Sequence, residues 1–352
     1  MIPYIFVGFI IVQINLAFIK RSKYLILGYI VVFGLLLALS VFRNLSVGTD
    51  FLGYKEAFSL IGEHSYSDPV SQEILWKNEY GWYYMNKGIY IIGNFFLYTL
   101  CFYFLMYSLI FKTIYEKSSI PLFSVLLYFL CGYYLASFNV MRQAFVFSLF
   151  LYSVRFIEDK KFLKYLITLL FGSLFHLSAL FLIPIYFITK IKWSKILLSS
   201  LLIISLIIGY MNYLPQFAYL IQLQRLQNYL TLFHNNFSVI GYLVFAFNTL
   251  MVIIFLMFTK DINSKDSIYL KIVIIGVILG NLVLHYQWLS RFSEVYFIPI
   301  MIIAYVNVIS QCKIFHNKVI FIGLLILYSL LLFYTTLSNN SNGILPYKLL
   351  DF

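Results

Sequence analysis

The sequence predicts an all-α protein that crosses a membrane many times, and three observations lead to this prediction. The 352 residues are 62% hydrophobic and only 11% charged, with a mean hydropathy of +0.90. A soluble domain of this length has too small a core to hide so much apolar surface, so lipid must solvate most of the chain. The apolar residues also form long continuous runs, and a helix of about 20 such residues spans the hydrocarbon core of a bilayer.

The predicted spans follow one another along the chain. They lie near residues 3–18, 24–42, 88–111, 119–137, 140–157, 162–189, 196–212, 239–258, 268–286, 295–311 and 319–337. Each run is too long and continuous for a core strand, and a helix satisfies its own backbone hydrogen bonds inside lipid. We expect one integral-membrane domain over residues 1–352, with external loops at 43–87 and 213–238. Residues 1–18 lack the basic start and cleavage site of a signal peptide, which favours a first span.

The run 162–189 is irregular because basic residues flank both of its ends. These residues are Lys160, Lys161 and Lys164 before the run, and Lys190, Lys192 and Lys195 after it. A break near His176 would return both clusters to the cytoplasm as a hairpin of two half-helices. That arrangement places 17 of the 25 Lys and Arg residues inside, whereas a straight span places 12 there. The positive-inside rule therefore favours the broken hairpin, about 12 crossings and external termini.

Under this topology, the outer face collects polar side chains at the ends of several spans. They are Arg43 and Asp50 after the second span, Glu79 and Trp82 before the third, Asn139, Arg142 and Gln143 at the start of the fifth, His176 at the break, and Arg291 and Glu294 at the start of the tenth. The i, i+3, i+4 spacing places Asn139, Arg142 and Gln143 on one helix face. The sequence thus predicts a polar site at this face of the bilayer.

Three arginines at the outer ends of spans oppose the topology signal and call for an explanation. Each could extend to the membrane interface or pair with an acid, as Arg291 could with Glu294. Guanidinium groups also bind phosphate and pyrophosphate through two parallel hydrogen bonds. Arg43, Arg142 and Arg291 around one cavity would therefore suit an anionic, lipid-linked pyrophosphate.

His176, Asp50 and Glu79 are the candidate catalytic bases. His176 lies in the middle of a long apolar run, where ionisable groups are candidates for function, although a packing role among aromatic residues is the alternative. A neutral imidazole can accept a proton from a sugar hydroxyl at physiological pH. Asp50 and Glu79 are rival bases, and each is alternatively an ion-pair partner of Arg43 or Arg142.

Two further features of the external segments have alternative interpretations. Trp82, with Tyr80 and Tyr83, lies beside Glu79 and could stack on sugar rings or anchor the chain at the interface. Residues 213–233 place most of their apolar side chains on one side, which predicts an amphipathic helix on the outer surface within the 213–238 loop.

Taken in order, the polar motifs resemble those of a known family. They are Arg43-Asn-x-Ser-Val-Gly-Thr-Asp50-x-x-x-Tyr54, Glu79-x-Gly-x-x-x-x-Asn86, Asn139-x-x-Arg142-Gln143, Phe175-His176-x-Ser178-Ala179 and Arg291-Phe. Together they resemble the EpsG branch of the Wzy-type polymerases, which make bacterial O-antigen, exopolysaccharide or capsule. Each motif alone is weak evidence, but five in this order are fairly specific.

The resemblance implies a GT-C-like fold of about 11–12 crossings and a glycosyltransferase of the bacterial plasma membrane whose site faces outward. It implies an inverting, metal-independent transfer without a cofactor, between oligosaccharide repeat units carried on undecaprenyl pyrophosphate as donor and acceptor. Membrane lipid, a flippase and a chain-length regulator are candidate partners. The net charge of +12 comes from short clusters between spans, so we expect no nucleic-acid partner. A glycan ligase of related fold and a lipid-linked sugar transporter are the alternatives.

Overall fold

The computed structural model describes residues 1–18, 24–66, 68, 79–216, 239–340 and 342–350, and this part of the chain is almost entirely helical. The α-helices are α1 Ile2–Phe18, α2 Leu25–Val41, α3 Phe51–Glu63, α4 Tyr80–Ile92, α5 Phe95–Lys117, α6 Pro121–Leu130, α7 Tyr133–Ala136, α8 Met141–Glu158, α9 Phe162–Ser173, α10 Ile185–Ile188, α11 Lys195–Tyr210, α12 Val239–Phe258, α13 Ile268–Leu282, α14 Gln287–Tyr296, α15 Met301–Gln311 and α16 Phe315–Asn339. Within the described ranges there is no β-strand, only an isolated bridge between Arg43 and Leu349. The predicted all-α class is confirmed.

Several helices have the length and composition to cross a membrane. In the described ranges, three segments of 18 residues or more do so: Phe95–Lys117, Leu289–Gln311 and Phe315–Asn339. Shorter apolar helices accompany them, among them α1, α2, α9 and α11. The prediction of a polytopic membrane protein is confirmed, and the number of crossings and their direction stay predictions.

The chain divides into two compact units. The first unit contains Met1–Pro184 and Val319–Phe352, and the second contains Ile185–Lys318. In the first unit, α8 packs against α5 and α9, α2 packs against α5, and α3 packs against α4. A single domain over the whole chain stays a prediction.

The predicted break at His176 is confirmed. Helix α9 ends at Ser173, His176 has an extended backbone (φ −159°, ψ 124°), and a 3₁₀ helix covers Leu177–Leu182. The Tyr165 hydroxyl donates a hydrogen bond of 2.6 Å to the Leu182 carbonyl oxygen. In one straight helix these two residues would be about 25 Å apart, at about 1.5 Å per residue. The chain therefore turns back on itself at His176, as a broken hairpin requires.

The C-terminal segment lies on the loop that follows α2. Backbone hydrogen bonds join Asn44 N–H to Lys348 O (2.9 Å), Leu350 N–H to Phe42 O (2.8 Å) and Gly48 N–H to Gly343 O (2.9 Å). Gly48 has φ +105°, and a Cβ there would lie 2.8 Å from Asn139 Oδ1, so this turn requires glycine. The C-terminal segment and the loop after α2 thus form one hydrogen-bonded structure around the Arg43 motif.

In the second unit, some of the polar groups inside the apolar packing form hydrogen bonds with neighbouring helices and loops. The buried Lys271 ammonium donates to the carbonyl oxygens of Thr189 and Ile191, both at 2.9 Å. Asn281 donates to Thr249 Oγ1 at 2.9 Å. The predicted amphipathic helix falls mainly on residues 217–238, which lie outside the described residues.

Candidate functional site

A buried ion pair between Glu79 and Arg142 forms the centre of the candidate site. Glu79 directly precedes α4 and Arg142 lies in the first turn of α8, and their side chains are only 5% and 9% exposed. The guanidinium Nη1 donates to the carboxylate Oε2. Burial raises the pKa of the Glu79 carboxyl above its usual range, and this effect outweighs the opposing one of Arg142. Of the two roles predicted for Glu79, the ion pair is present in this structure.

Aromatic side chains surround this ion pair. Arg142 lies over the Trp82 ring, 5.6 Å from its centroid, and Trp82 packs edge-on against Tyr54 and Tyr98 at 5.5 and 5.6 Å. The Tyr54 hydroxyl donates to the Asn139 carbonyl oxygen at 2.8 Å. Trp82 is only 1% exposed, so its ring packs against Arg142 within the core of the first unit. This position does not favour the predicted stacking of Trp82 on a sugar.

His176 is held at the hairpin break by Ser178. The Ser178 backbone N–H donates to Nδ1 of His176 at 3.2 Å, and the Ser178 hydroxyl lies 2.6 Å from the same nitrogen. A backbone N–H can only donate, so Nδ1 must carry the lone pair. The proton of the neutral ring is therefore on Nε2, and His176 presents an N–H group at that atom.

Gln143 faces this N–H group of His176. Its amide nitrogen lies 3.5 Å from Nε2, and its amide oxygen has no hydrogen-bond partner in the described ranges. Turning the amide over would bring its oxygen to the Nε2–H, because the two amide positions are interchangeable by rotation. His176 and Gln143 thus connect the hairpin break to α8, one residue after Arg142.

Arg43 lies elsewhere in the first unit, in an aromatic cage. Its guanidinium carbon is 3.7 Å from the centroid of the Phe51 ring and 4.1 Å from that of Phe138. Its Nη2 donates to the Tyr103 hydroxyl (2.8 Å) and to the Phe138 carbonyl oxygen (3.1 Å). In the part of the chain that the structure describes, no carboxylate lies within ion-pair distance of Arg43.

Asn139 connects the C-terminal segment to the start of α8. Its Nδ2 donates to the Asn342 carbonyl oxygen at 2.7 Å, and its own carbonyl accepts from Tyr54. These hydrogen bonds fix the entry to α8, and Arg142 lies one turn further on. The sequence did not indicate that residue 342 takes part, because no local pattern connects it to residue 139.

The remaining predicted residues do not join the ion pair. Asp50 is exposed at the start of α3 and accepts from the Thr49 hydroxyl at 3.0 Å. Arg291 and Glu294 belong to the second unit, where Glu294 accepts from the Ser290 hydroxyl at 2.9 Å. Their roles stay predictions. Within the described ranges, no three His, Cys, Asp or Glu residues are grouped as they would be to hold a metal ion.

These features define a polytopic α-helical membrane protein with a buried acid–arginine pair beside the histidine of a broken hairpin. The chain matches the family model described as the EpsG family over residues 4–349, and it belongs to that family. The resemblance found in the five motifs is therefore confirmed. The EpsG family is associated with glycosyltransferase-like polymerases, which indicates a polysaccharide-polymerase-like role at a membrane. No curated protein and no solved structure matches the chain.

Proposed function

We propose that the chain is a polysaccharide polymerase that joins undecaprenyl-pyrophosphate-linked repeat units at the outer face of the bacterial plasma membrane. The observation that carries this proposal is the buried Glu79–Arg142 pair beside the Nε2–H of His176. It combines a carboxylate, a guanidinium and a neutral N–H donor in a low-dielectric setting. A transferase that releases an anionic pyrophosphate can use such groups to bind it and to accept the proton of the attacking hydroxyl.

Arg142 binds the donor pyrophosphate in this mechanism. The guanidinium that pairs with Glu79 in the resting protein exchanges its partner for the pyrophosphate, whose charge and geometry fit it as well. Gln143 and the Nε2–H of His176 supply further hydrogen bonds. As the sugar–phosphate bond breaks, these groups stabilise the negative charge on the leaving group, and each well-placed donor contributes about 3 kcal/mol.

The carboxylate that Arg142 releases is the general base. Glu79 takes the proton of an acceptor hydroxyl, the hydroxyl oxygen attacks the anomeric carbon, and the bond to undecaprenyl pyrophosphate breaks on the opposite side. The attack inverts the anomeric centre. Burial raises the pKa of the Glu79 carboxyl, which makes its carboxylate a stronger base than that of an exposed glutamate.

His176 was the first candidate base from the sequence, and its contacts favour a different role. The lone pair of the ring lies at Nδ1, where it accepts from Ser178, so His176 acts as a donor towards the pyrophosphate. Asp50 is the weaker alternative base because it is exposed, and the ion pair that Arg142 forms is with Glu79. Arg43 and Arg291 remain candidate ligands of a phosphate.

The test compares cells that carry Arg142→Ala, His176→Ala or the control Arg155→Ala. Arg155 lies at the other end of α8 and pairs with Glu116 at 2.6 Å, so it controls for loss of a paired arginine. At normal protein levels, we expect the first two variants to accumulate single-repeat glycolipid and the control to make long polymer. Long polymer in both site variants would reject this site, and accumulation of intact lipid-linked polymer would indicate a ligase.

A further inference from the structure

A cavity of about 590 Å³ lies beside Arg43 in the first unit. Its walls come from the segment after α2, from α3, and from the turn between α4 and α5. On α3, the i, i+4, i+8 residues Phe51, Lys55 and Ser59 line it together. The cavity is therefore built from a different set of residues than the Glu79–Arg142 site.

The groups around this cavity are positive. Arg43 is fully buried in its wall, and in the described part of the chain its Nε and Nη1 have no hydrogen-bond partner. Lys55 is exposed at the cavity and has no ion pair among the described residues. A buried charge without an acid projects its field strongly into an adjacent cavity, because the surroundings have a low dielectric constant.

The start of α5 adds to this positive potential. Asn94, Phe95 and Phe96 line the cavity, and they are the cap and first residues of a 23-residue helix. The Asn94 side chain accepts from the Leu97 N–H at 3.0 Å, which leaves the first two N–H groups of the helix unbonded by this cap. The N-terminus of a helix favours an anion.

Most of the cavity wall is nevertheless apolar. Phe58, Tyr90, Phe95, Phe96 and Leu350 contribute to it, and none of the described residues that line it is acidic. A small hydrophilic anion would leave these rings in contact with water, whereas an anion that carries a hydrocarbon chain would cover them. The combination of a buried guanidinium without an acid partner in the described part of the chain, an exposed lysine and an aromatic wall favours an amphiphilic anion.

We propose that this cavity binds the phosphate group of a lipid, with Lys55 at the phosphate, Arg43 beneath it and the aromatic wall along the chain. Ser59, Asn94 and Thr99 also line this cavity. The proposal requires neither Glu79 nor Arg142.

Binding of a short-chain lipid phosphate to purified protein tests the proposal. Dihexanoyl phosphatidic acid is titrated into the full-length protein in a maltoside detergent, and the bound lipid is measured by native mass spectrometry. We expect Lys55→Gln to weaken binding about fivefold, the effect of losing one exposed charge-assisted contact. Lys164→Gln removes another exposed lysine, in α9 of the same unit, and should leave binding within about twofold.

Two further ligands in the same binding measurement define which part of the lipid is recognised. Dihexanoylglycerol, which lacks the phosphate, should bind at least tenfold more weakly, and inorganic phosphate should not displace the lipid at equal concentration. Arg43→Met is a second variant and should also weaken binding. Unchanged binding by Lys55→Gln, or equal binding of dihexanoylglycerol, would overturn the proposal. Displacement by equimolar inorganic phosphate would show a free-phosphate site and overturn the assignment to a lipid.

Discussion

Arg142 and Arg43 are both buried in the first unit, but their surroundings differ. Arg142 meets the carboxylate of Glu79, whereas Arg43 lies between two aromatic rings with no acid in ion-pair range among the described residues. A guanidinium with a carboxylate partner can exchange it for a phosphate. A guanidinium fixed between rings keeps its place and acts through its field. The two arginines therefore suit two different anions.

A buried cation of the second unit shows what a structural role looks like. The Lys271 ammonium donates to two carbonyl oxygens and closes the backbone after α10, where those carbonyls have no helical partner. Hydrogen bonding of this kind is the rule for buried polar groups. Arg43, whose Nε and Nη1 have no hydrogen-bond partner among the described residues, departs from this rule beside a cavity, which is why we assign it to a ligand site.

The largest expected loss of unfolding free energy follows from removing the acid partner of Arg142, a kind of partner that Arg43 lacks among the described residues. Glu79→Ala leaves the Arg142 charge buried without its carboxylate, and this should cost about 3 kcal/mol of unfolding free energy or more. The double variant Glu79→Ala/Arg142→Met should recover most of the loss. Denaturant unfolding in detergent provides the measurement. A double variant no more stable than Glu79→Ala would contradict the coupling of this pair.

The next effect concerns the loop that holds Arg43. Gly48→Ala places a Cβ 2.8 Å from Asn139 Oδ1 at φ +105°, and should cost about 2 kcal/mol of unfolding free energy. Gly53→Ala is the matched control, because Gly53 lies in α3 with open space around its Cβ position. The control should be neutral or stabilising by about 0.5 kcal/mol. Equal unfolding free energies for the two variants would contradict this account of the loop.

Arg43→Met should change the free energy of unfolding less than Glu79→Ala or Gly48→Ala does. It removes two hydrogen bonds and three ring contacts, but it also removes a buried charge that has no acid partner among the described residues, so the net change should be about 1 kcal/mol. The same denaturant titration measures it. A loss as large as that of Glu79→Ala would mean that Arg43 serves the fold and would weaken the comparison.

The smallest loss of stability, about 0.5 kcal/mol, is expected for His176→Gln, because it removes the contacts of Nδ1 with Ser178. Glutamine supplies an N–H donor near the position of Nε2 but cannot act as a base. If His176 donates to the pyrophosphate, this variant should keep measurable polymer, whereas His176→Phe should make none. Gel analysis of cell-surface polymer measures both. Equal inactivity of the two variants at normal protein levels would favour the base role instead.

The sequence predicted those parts of the structure that depend on local composition. Apolar runs predicted the helices, and the distribution of lysines predicted the break at His176, because lysines around a hairpin report the side of the membrane. The pairing of Glu79 with Arg142 was one of two predicted alternatives for Glu79. Spacing alone could not choose between them, since the residues are 63 positions apart.

The sequence did not predict contacts made by the backbone over long distances. The C-terminal segment reaches the Arg43 loop through N–H and carbonyl groups, about 300 residues along the chain, and such contacts leave no side-chain pattern. The cage of Phe51 and Phe138 was equally hidden, because 20% of all residues are aromatic and no single ring is distinctive. The burial of Trp82 was missed for the same reason.

The central claim is that the Glu79–Arg142 site joins lipid-linked repeat units. The most direct test supplies purified protein with a synthetic undecaprenyl-pyrophosphate-linked repeat unit and follows the products by mass spectrometry. Wild-type protein and Arg155→Ala should form chains of two and more repeats and release one undecaprenyl pyrophosphate for each bond formed. Arg142→Ala should leave the single repeat unextended. Chain extension by Arg142→Ala at the wild-type rate would contradict the claim.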